Sequence, residues 1–466
     1  MSGKKNESLT KLTGMYALGN LSSKALSFVL IFFMTYFLTR EEIGQYDLIL
    51  TTISLIVPCV SLQIDSSLLR WLLDNPNQKF KEKIFETVFV LLIFNIGIFS
   101  VLFLALSFFI KIDYALFFYL LTLCRIIFPT LQQGTRGIGK NRIYVITSIL
   151  YTFLYVSFTL TLIYFFKLDI DGVLIANIIA FGIVILFLLF KNEWFKYILF
   201  KRPDKKLLKD LLSYSLPLLP NNISWWLIGS STRYVILLYL GVDENGIFAI
   251  SYKYPTILLM LSSVFTLAWQ EKAIRSSTNP DENNTDFSGI LEKYIKLLLG
   301  FIILLSACSK TLMKFVDSDF FDAWQYIPIL LYAVFLQALG AFYGVGYLKN
   351  KKTKGVLYSS IVGGLVTVIS SFLLTEKWGL YGISFSILLG YLVLLIFRLV
   401  QVRSFLKIDF PFKLVAILSI VFIIVSWSNY IDNIYVFITS LAVGLSLFTY
   451  LNYDQLINLK TKILKK

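Results

Sequence analysis

An all-α polytopic membrane protein of about fourteen transmembrane helices is the fold class this sequence predicts, and three observations predict it. Of the 466 residues, 57% are hydrophobic and 15% are charged, whereas a soluble domain carries about 25% charged residues. Apolar runs of spanning length, about 20 residues, recur from one end to the other. The 43 basic residues, set against 28 acidic ones, gather in alternate connections, which is the pattern that membrane topology imposes.

The elements follow in order. The start, MSGKKNESLTKL, is polar and basic, and no small-residue cleavage site follows its first apolar run. It reads as a cytoplasmic leader and not as a removed signal peptide. Spans lie near 14–38, 43–73, 84–110, 114–135, 143–166, 170–190 and 211–240. They continue near 246–271, 290–315, 324–348, 355–375, 379–402, 412–430 and 433–452. The longest connections, 191–210 and SSTNPDENNTDFSG at 276–289, are too short for a soluble domain. Within YSLPLLPNNISWW, Pro217 and Pro220 remove backbone donors early in the seventh span. They mark either a benign kink or a hinge.

Alternate connections, counted from the N-terminus, hold 32 of the basic residues; the connections between them hold Arg40, Lys111, Lys167, Lys310, Lys314 and Lys377. Lys and Arg accumulate on the cytoplasmic side, so both termini are expected there. The basic balance is accounted for by topology, and nucleic acid is not needed to explain it. Cys59, Cys124 and Cys308 are odd in number and lie in apolar runs, which suggests neither a disulfide framework nor a metal site. There is no histidine, so the commonest metal ligand and neutral-pH base is missing. No metal and no cofactor is expected.

Five basic residues remain, and each falls inside a span: Lys24, Arg70, Arg125, Arg233 and Lys253. Facing lipid, they would cost roughly 12–18 kcal/mol together, comparable with a whole protein's stability. They are therefore expected to face the bundle interior, water or one another. Helical spacing agrees. Arg125, Gln132 and Arg136 form one stripe; Gln63, Ser66 and Arg70 another; Asn222, Trp226, Ser230 and Arg233 a third; Asn20, Lys24 and Ser27 a fourth. Such stripes describe the wall of a wet cavity. Two other readings stand beside it: long basic side chains snorkel near helix ends, and Arg70 has Asp74 four residues on as a local partner. Asp65 is either the partner of one cation or an ion-coupling site. With so few acids the cavity is net positive, which suits a phosphate or carboxylate ligand.

A shift of 202 residues superposes FLTREEIGQY at 37–46 on YLGVDENGIF at 239–248, and NLS at 20–22 on NIS at 222–224. KNR at 140–142 resembles KNK at 349–351, and DGV at 171–173 resembles YGI at 381–383. The expected organisation is two pseudo-symmetric six-helix bundles plus two C-terminal helices. By residue, 1–195 forms the first bundle, 196–210 a basic cytoplasmic linker, 211–405 the second bundle, and 406–466 the extra helices and a basic tail. Parallel repeats of this kind are how alternating-access transporters are built, with the site between the halves.

The segment SYSLPLLPNNISWWLIGSSTRYVILLYLGVDENGIFAISYKYP resembles the heart of the Wzx-type oligosaccharide flippases. These belong to the multidrug/oligosaccharidyl-lipid/polysaccharide exporter superfamily. The resemblance rests on Leu216, Pro217 and Pro220 opening the seventh helix, Arg233 and Tyr234 late in it, and Gly246 and Phe248 in the eighth. YFLTREEIGQYDLILT matches the family's first connection and WGLYGISFSILLGY its twelfth helix. One position departs: where the family often has Asp before the arginine, this chain has Thr232.

The resemblance implies a non-enzymatic flippase in the bacterial cytoplasmic (inner) membrane, expected as a monomer. Its cargo would be an undecaprenyl-pyrophosphate-linked glycan of O-antigen or capsule type. The implied partners are a polysaccharide polymerase and a chain-length regulator, with coupling to a proton or sodium gradient. Trp225, Trp226 and Trp269 are candidates for stacking on sugar rings, with interface anchoring as the other reading. The rival functions are a multidrug extruder of the same superfamily, whose cavity should carry acids, and a membrane polymerase or glycosyltransferase. The latter needs acid–base groups and large outer loops; the one outer acidic cluster, Asp317, Asp319 and Asp322, reads as a solvated loop.

Overall fold

The computed structural model describes residues 25–75, 77–197, 203–275, 286–349, 353–404, 408–453 and 457. Among them helix follows helix and no strand occurs. The chain divides into two units, 1–226 and 227–466. Nine helices of the described residues are long and apolar enough to cross a membrane. The polytopic all-α class is therefore the observed one. Large apolar side chains such as Phe108, Phe109 and Ile420 stand exposed, as the lipid-facing surface of a membrane protein requires.

The first unit begins with α1 (25–34), α2 (Arg40–Ser61) and α3 (Ile64–Asp74). Helix α2 starts on a capping box: Thr39 Oγ1 accepts from the Glu42 N–H, and Glu42 accepts from the Thr39 N–H at 2.8 Å. The other oxygen of Glu42 accepts from the Ile170 N–H at 3.4 Å, which ties α2 to the head of α7. The second span was expected unbroken over 43–73, but it breaks between α2 and α3. Leu62 and Gln63 both take left-handed backbone, with φ of 51° and 55°. A break inside an apolar layer strands backbone carbonyls that water cannot reach. Asn95, from α4, donates to the Val60 carbonyl at 2.9 Å and satisfies one of them.

Helices α4 (Gln78–Phe109), α5 (Ala115–Gly137), α6 (Asn141–Tyr164) and α7 (Asp169–Lys191) complete the spans of this unit. They match the expected positions. Helix α7 packs against both α5 and α6, and α3 packs on α5. A 3-10 turn, Trp194–Tyr197, follows α7, and α8 (Lys205–Ser215) docks on α3, where Ser67 Oγ donates to the Leu211 carbonyl at 2.7 Å.

The seventh expected span is built from pieces. After α8 comes a 3-10 turn at Leu216–Leu218, then α9 (Leu219–Gly229) and α10 (Thr232–Tyr239). Pro217 sits in the 3-10 turn and Pro220 at the head of α9, where a missing N–H costs little.

In the second unit, α11 (Val242–Lys253) and α12 (Thr256–Arg275) share the eighth span; α13 (Phe287–Leu312) and α14 (Ile327–Lys349) follow. Helices α2 and α11 begin at positions 40 and 242, the same 202-residue shift seen in the repeat. Helix α15 (Thr353–Val402) runs for 50 residues, about 75 Å if straight, far beyond a hydrocarbon core of about 30 Å. It is two spans joined at Gly379, whose φ of 52° and ψ of −134° suit glycine alone. Helices α16 (Phe412–Ser428) and α17 (Ile434–Leu451) pack on α13. Ser306 meets Ser426 at 2.8 Å, and Asn429 donates to the Ser306 carbonyl at 2.9 Å. Such hydroxyl and amide contacts hold helices together where burial of apolar surface gives no drive.

Candidate functional site

Of the five cations expected inside spans, Arg125 lies on α5. It stands near the middle of that helix and is half-buried. Its Nε is enclosed and has no hydrogen-bond partner, and no carboxylate pairs with it among the described residues. The guanidinium lies near three tyrosine hydroxyls, those of Tyr46, Tyr151 and Tyr155, close enough for its charge to act on them. These hydroxyls form a chain through the first unit. Tyr46 meets Tyr155 at 2.7 Å, Asn177 donates to the Tyr46 hydroxyl at 3.4 Å, and Tyr151 donates to Asn177 Oδ1 at 2.9 Å. Helices α2, α5, α6 and α7 thus converge on one polar cluster. The sequence stripes did not reveal it, because tyrosine and asparagine on separate helices carry no shared periodicity.

Arg233 is placed differently. Only 4% of it is exposed. It donates to the Gly229 carbonyl and lies over the rings of Tyr252 at 4.5 Å and Phe248 at 4.9 Å. A guanidinium held between aromatic faces in this way is stabilised by cation–π attraction. An arginine can therefore head the run YVILLYL because protein, not lipid, surrounds it. Phe248 and Tyr46 are partners under the 202-residue shift, so each unit sets an arginine beside the same position, from α10 in one case and from α5 in the other.

Arg70 corrects the expectation of an unpaired cavity cation. Its side chain is 58% exposed and pairs with Asp74 at 3.2 Å, with the Tyr214 ring at 5.7 Å. The break at Leu62 also dissolves its stripe, because Gln63 precedes α3 instead of lying on it. Gln132 donates to Ser148 at 2.8 Å and to Thr147 at 3.3 Å, which joins α5 to α6. Arg136 is half-buried, its guanidinium over the Tyr144 ring at 6.0 Å. Lys253, in the last turn of α11, and Asn222 are both half-buried. Lys24 and Asn20 lie outside the described residues.

Asp65 sits in the first turn of α3 beside the N–H groups of Asp65 and Ser66. No cation pairs with it among the described residues. Trp226 donates its Nε1 to the Thr51 carbonyl at 3.0 Å. Trp269 is 3% exposed and lies flat on Phe342 with centroids 4.5 Å apart, which leaves no face for a sugar.

Arg398 is one of the 32 basic residues that the sequence reading places in alternate, cytoplasmic connections. The structure buries it in α15 with 1% exposed. It donates to the Gly340 carbonyl at 2.6 Å, to Ser359 at 2.9 Å and to Ser360 at 3.2 Å. A Cβ on Gly344 would come within 2.9 Å of this guanidinium, so α14 approaches it through a glycine.

The fold is similar to that of several solved transporters. The lipid II flippase MurJ, in an inward closed conformation, aligns with TM-score 0.67 over 95% of this chain and 99% of its own, at 14% identity. A multidrug resistance MATE family transporter of the MOP superfamily, inward-facing, aligns at 0.61 over 83% and 93%, at 14% identity. A MOP superfamily transporter from Pyrococcus furiosus, described as having a binding pocket of reverse polarity, aligns at 0.60 over 86% and 98%, at 16% identity. No curated protein matches the chain in sequence. Residues 9–270 match the family described as polysaccharide biosynthesis protein; this is more than half of the chain, and the chain belongs to that family.

Proposed function

We propose that the chain is a flippase. It carries undecaprenyl-pyrophosphate-linked oligosaccharide repeat units, of O-antigen or capsule type, from the cytoplasmic to the outer leaflet of the bacterial inner membrane by alternating access. The observation that carries this reading is Arg125, a guanidinium in mid-span with no carboxylate partner among the described residues and an enclosed, unpartnered Nε. A fixed positive charge in a low-dielectric surround attracts a phosphate strongly, and the guanidinium fork matches phosphate oxygens. Family membership and the likeness to MurJ support the same cargo class. Arg233 and Lys253 serve the same cargo from the second unit, Arg233 through the order it imposes on Tyr252. Lys24 is assigned to the same group from the sequence, and Asp65 is the candidate for ion coupling. The protein works as a monomer that supplies a polymerase and its chain-length regulator.

The likeness to MATE transporters favours a second reading, a multidrug extruder. One experiment separates the two. Arg125→Ala and Arg125→Lys variants are expressed in a strain lacking the chromosomal copy, and surface glycan and drug susceptibility are both measured. The expected outcome is loss of surface glycan in Arg125→Ala with normal membrane insertion, partial recovery in Arg125→Lys, and unchanged drug susceptibility. Normal glycan in Arg125→Ala rejects the flippase assignment; a gain in drug susceptibility favours the extruder.

A further inference from the structure

At one end of the first unit, Gln78, Ile138, Lys140, Lys191, Glu193 and Trp194 line a cavity of about 320 Å³ together with Phe85 and Asn192. This volume lies at the small end of the range for ligand pockets. The walls come from the head of α4, the end of α5 with the turn after it, and the end of α7. Lys140 is held in place: its ammonium donates to Asn192 Oδ1 at 2.9 Å, and Asn192 in turn donates to Thr135 at 3.2 Å. Lys191, in the last turn of α7, pairs with no carboxylate among the described residues. Trp194, 1% exposed, backs the cavity and packs on Phe85 at 5.5 Å. Beside Lys191 the rings of Phe190 and Phe195 meet at 4.9 Å. Both are exposed, at 70% and 44%, and form an apolar shoulder next to a basic pocket.

Two lysines against one glutamate leave the lining net positive. Lys79, Lys81, Lys83 and Arg142 stand at the same end of these helices. The positive-inside rule assigns such an end to the cytoplasmic leaflet, whose anionic lipids attract basic groups at about 1 kcal/mol for each Lys or Arg. We propose that this cavity is a headgroup site for an anionic phospholipid of the inner leaflet. The phosphodiester lies between Lys140 and Lys191, and the acyl chains descend along Phe190 and Phe195. The site is separate from the Arg125 cluster and does not depend on the cargo assignment.

The test uses the full-length protein purified in detergent, with bound lipid counted by native mass spectrometry and thermal stability measured alongside. Phosphatidylglycerol is expected to bind and to raise the melting temperature; phosphatidylcholine is not. In the Lys140→Gln/Lys191→Gln variant the affinity should fall by about thirtyfold, from two lost contacts. A Lys79→Gln/Lys81→Gln variant, altered at the same end but outside the cavity, should bind as the parent does. Equal binding by the Lys140→Gln/Lys191→Gln variant overturns the proposal. So does an equal loss in both variants, which would show a diffuse charge effect. Inorganic phosphate reproducing the stabilisation would replace the lipid with a soluble anion, and displacement of the lipid by undecaprenyl pyrophosphate would give the site to the cargo.

Discussion

A guanidinium with 1% exposure joins three stretches of chain at position 398: α14 at Gly340, the first half of α15 at Ser359 and Ser360, and its own second half. Charge-assisted hydrogen bonds of this sort are worth about 1.5–3 kcal/mol each. Arg398→Ala should therefore lower stability by roughly 3 kcal/mol or more, through lost bonds and an added cavity, which a thermal melt in detergent reads directly. Arg398→Lys keeps the charge without the fork and should fall between the two. The sequence hid this residue, because an arginine a few positions before a basic connection looks like a snorkelling anchor. Arg125 was legible for the opposite reason: mid-span, it has no nearby interface to reach. Arg70 was half legible, since Asp74 lies one turn on, and the structure shows that local pairing.

At the level of single helices, apolar length located every span that the described residues cover, since hydrocarbon thickness fixes that length whatever the side chains. What length could not show was where a span breaks. Neither Leu62 nor Gln63 is a residue that favours left-handed backbone, and nothing in LQID announces a turn. The compensation lies in another helix, with Asn95 on the Val60 carbonyl. Asn95→Leu should cost about 1–3 kcal/mol by leaving that carbonyl unmet. Hydrogen exchange at residues 57–66 should rise with it; protection unchanged from the parent would show that another donor serves the carbonyl. The capping box at Thr39 and Glu42, by contrast, stands plainly in LTREE, because its two partners are three residues apart.

Across the molecule, the ends of the first unit differ in charge. Tyr114, the residue that precedes α5, has its hydroxyl pushed above the ordinary range, by burial first and then by Asp171, Glu42, Asp113 and Glu41. Carboxylates gather there, and lysines gather at the other end around Lys140 and Lys191. Single cysteines at Lys111 and Lys167, in a background without the native cysteines, should react with an impermeant thiol reagent from outside cells. A cysteine at Arg142 should react only after permeabilisation. The reverse pattern would invert the proposed orientation and with it the leaflet assigned to the lysine pocket. The 202-residue shift expected from the sequence matches helix starts, 40 and 242, but it does not carry over to the chemistry. Tyr46 and Phe248 are matched by that shift, yet the arginines beside them come from α5 and α10, which it does not match.

The enclosure of Arg398 also limits how the protein can move. Sliding α14 away from either limb of α15 would drag a permanent cation toward hydrocarbon, at a cost of several kcal/mol. Those three segments must then travel as one plank through any transport cycle, and the bending has to be absorbed at other places in the second unit.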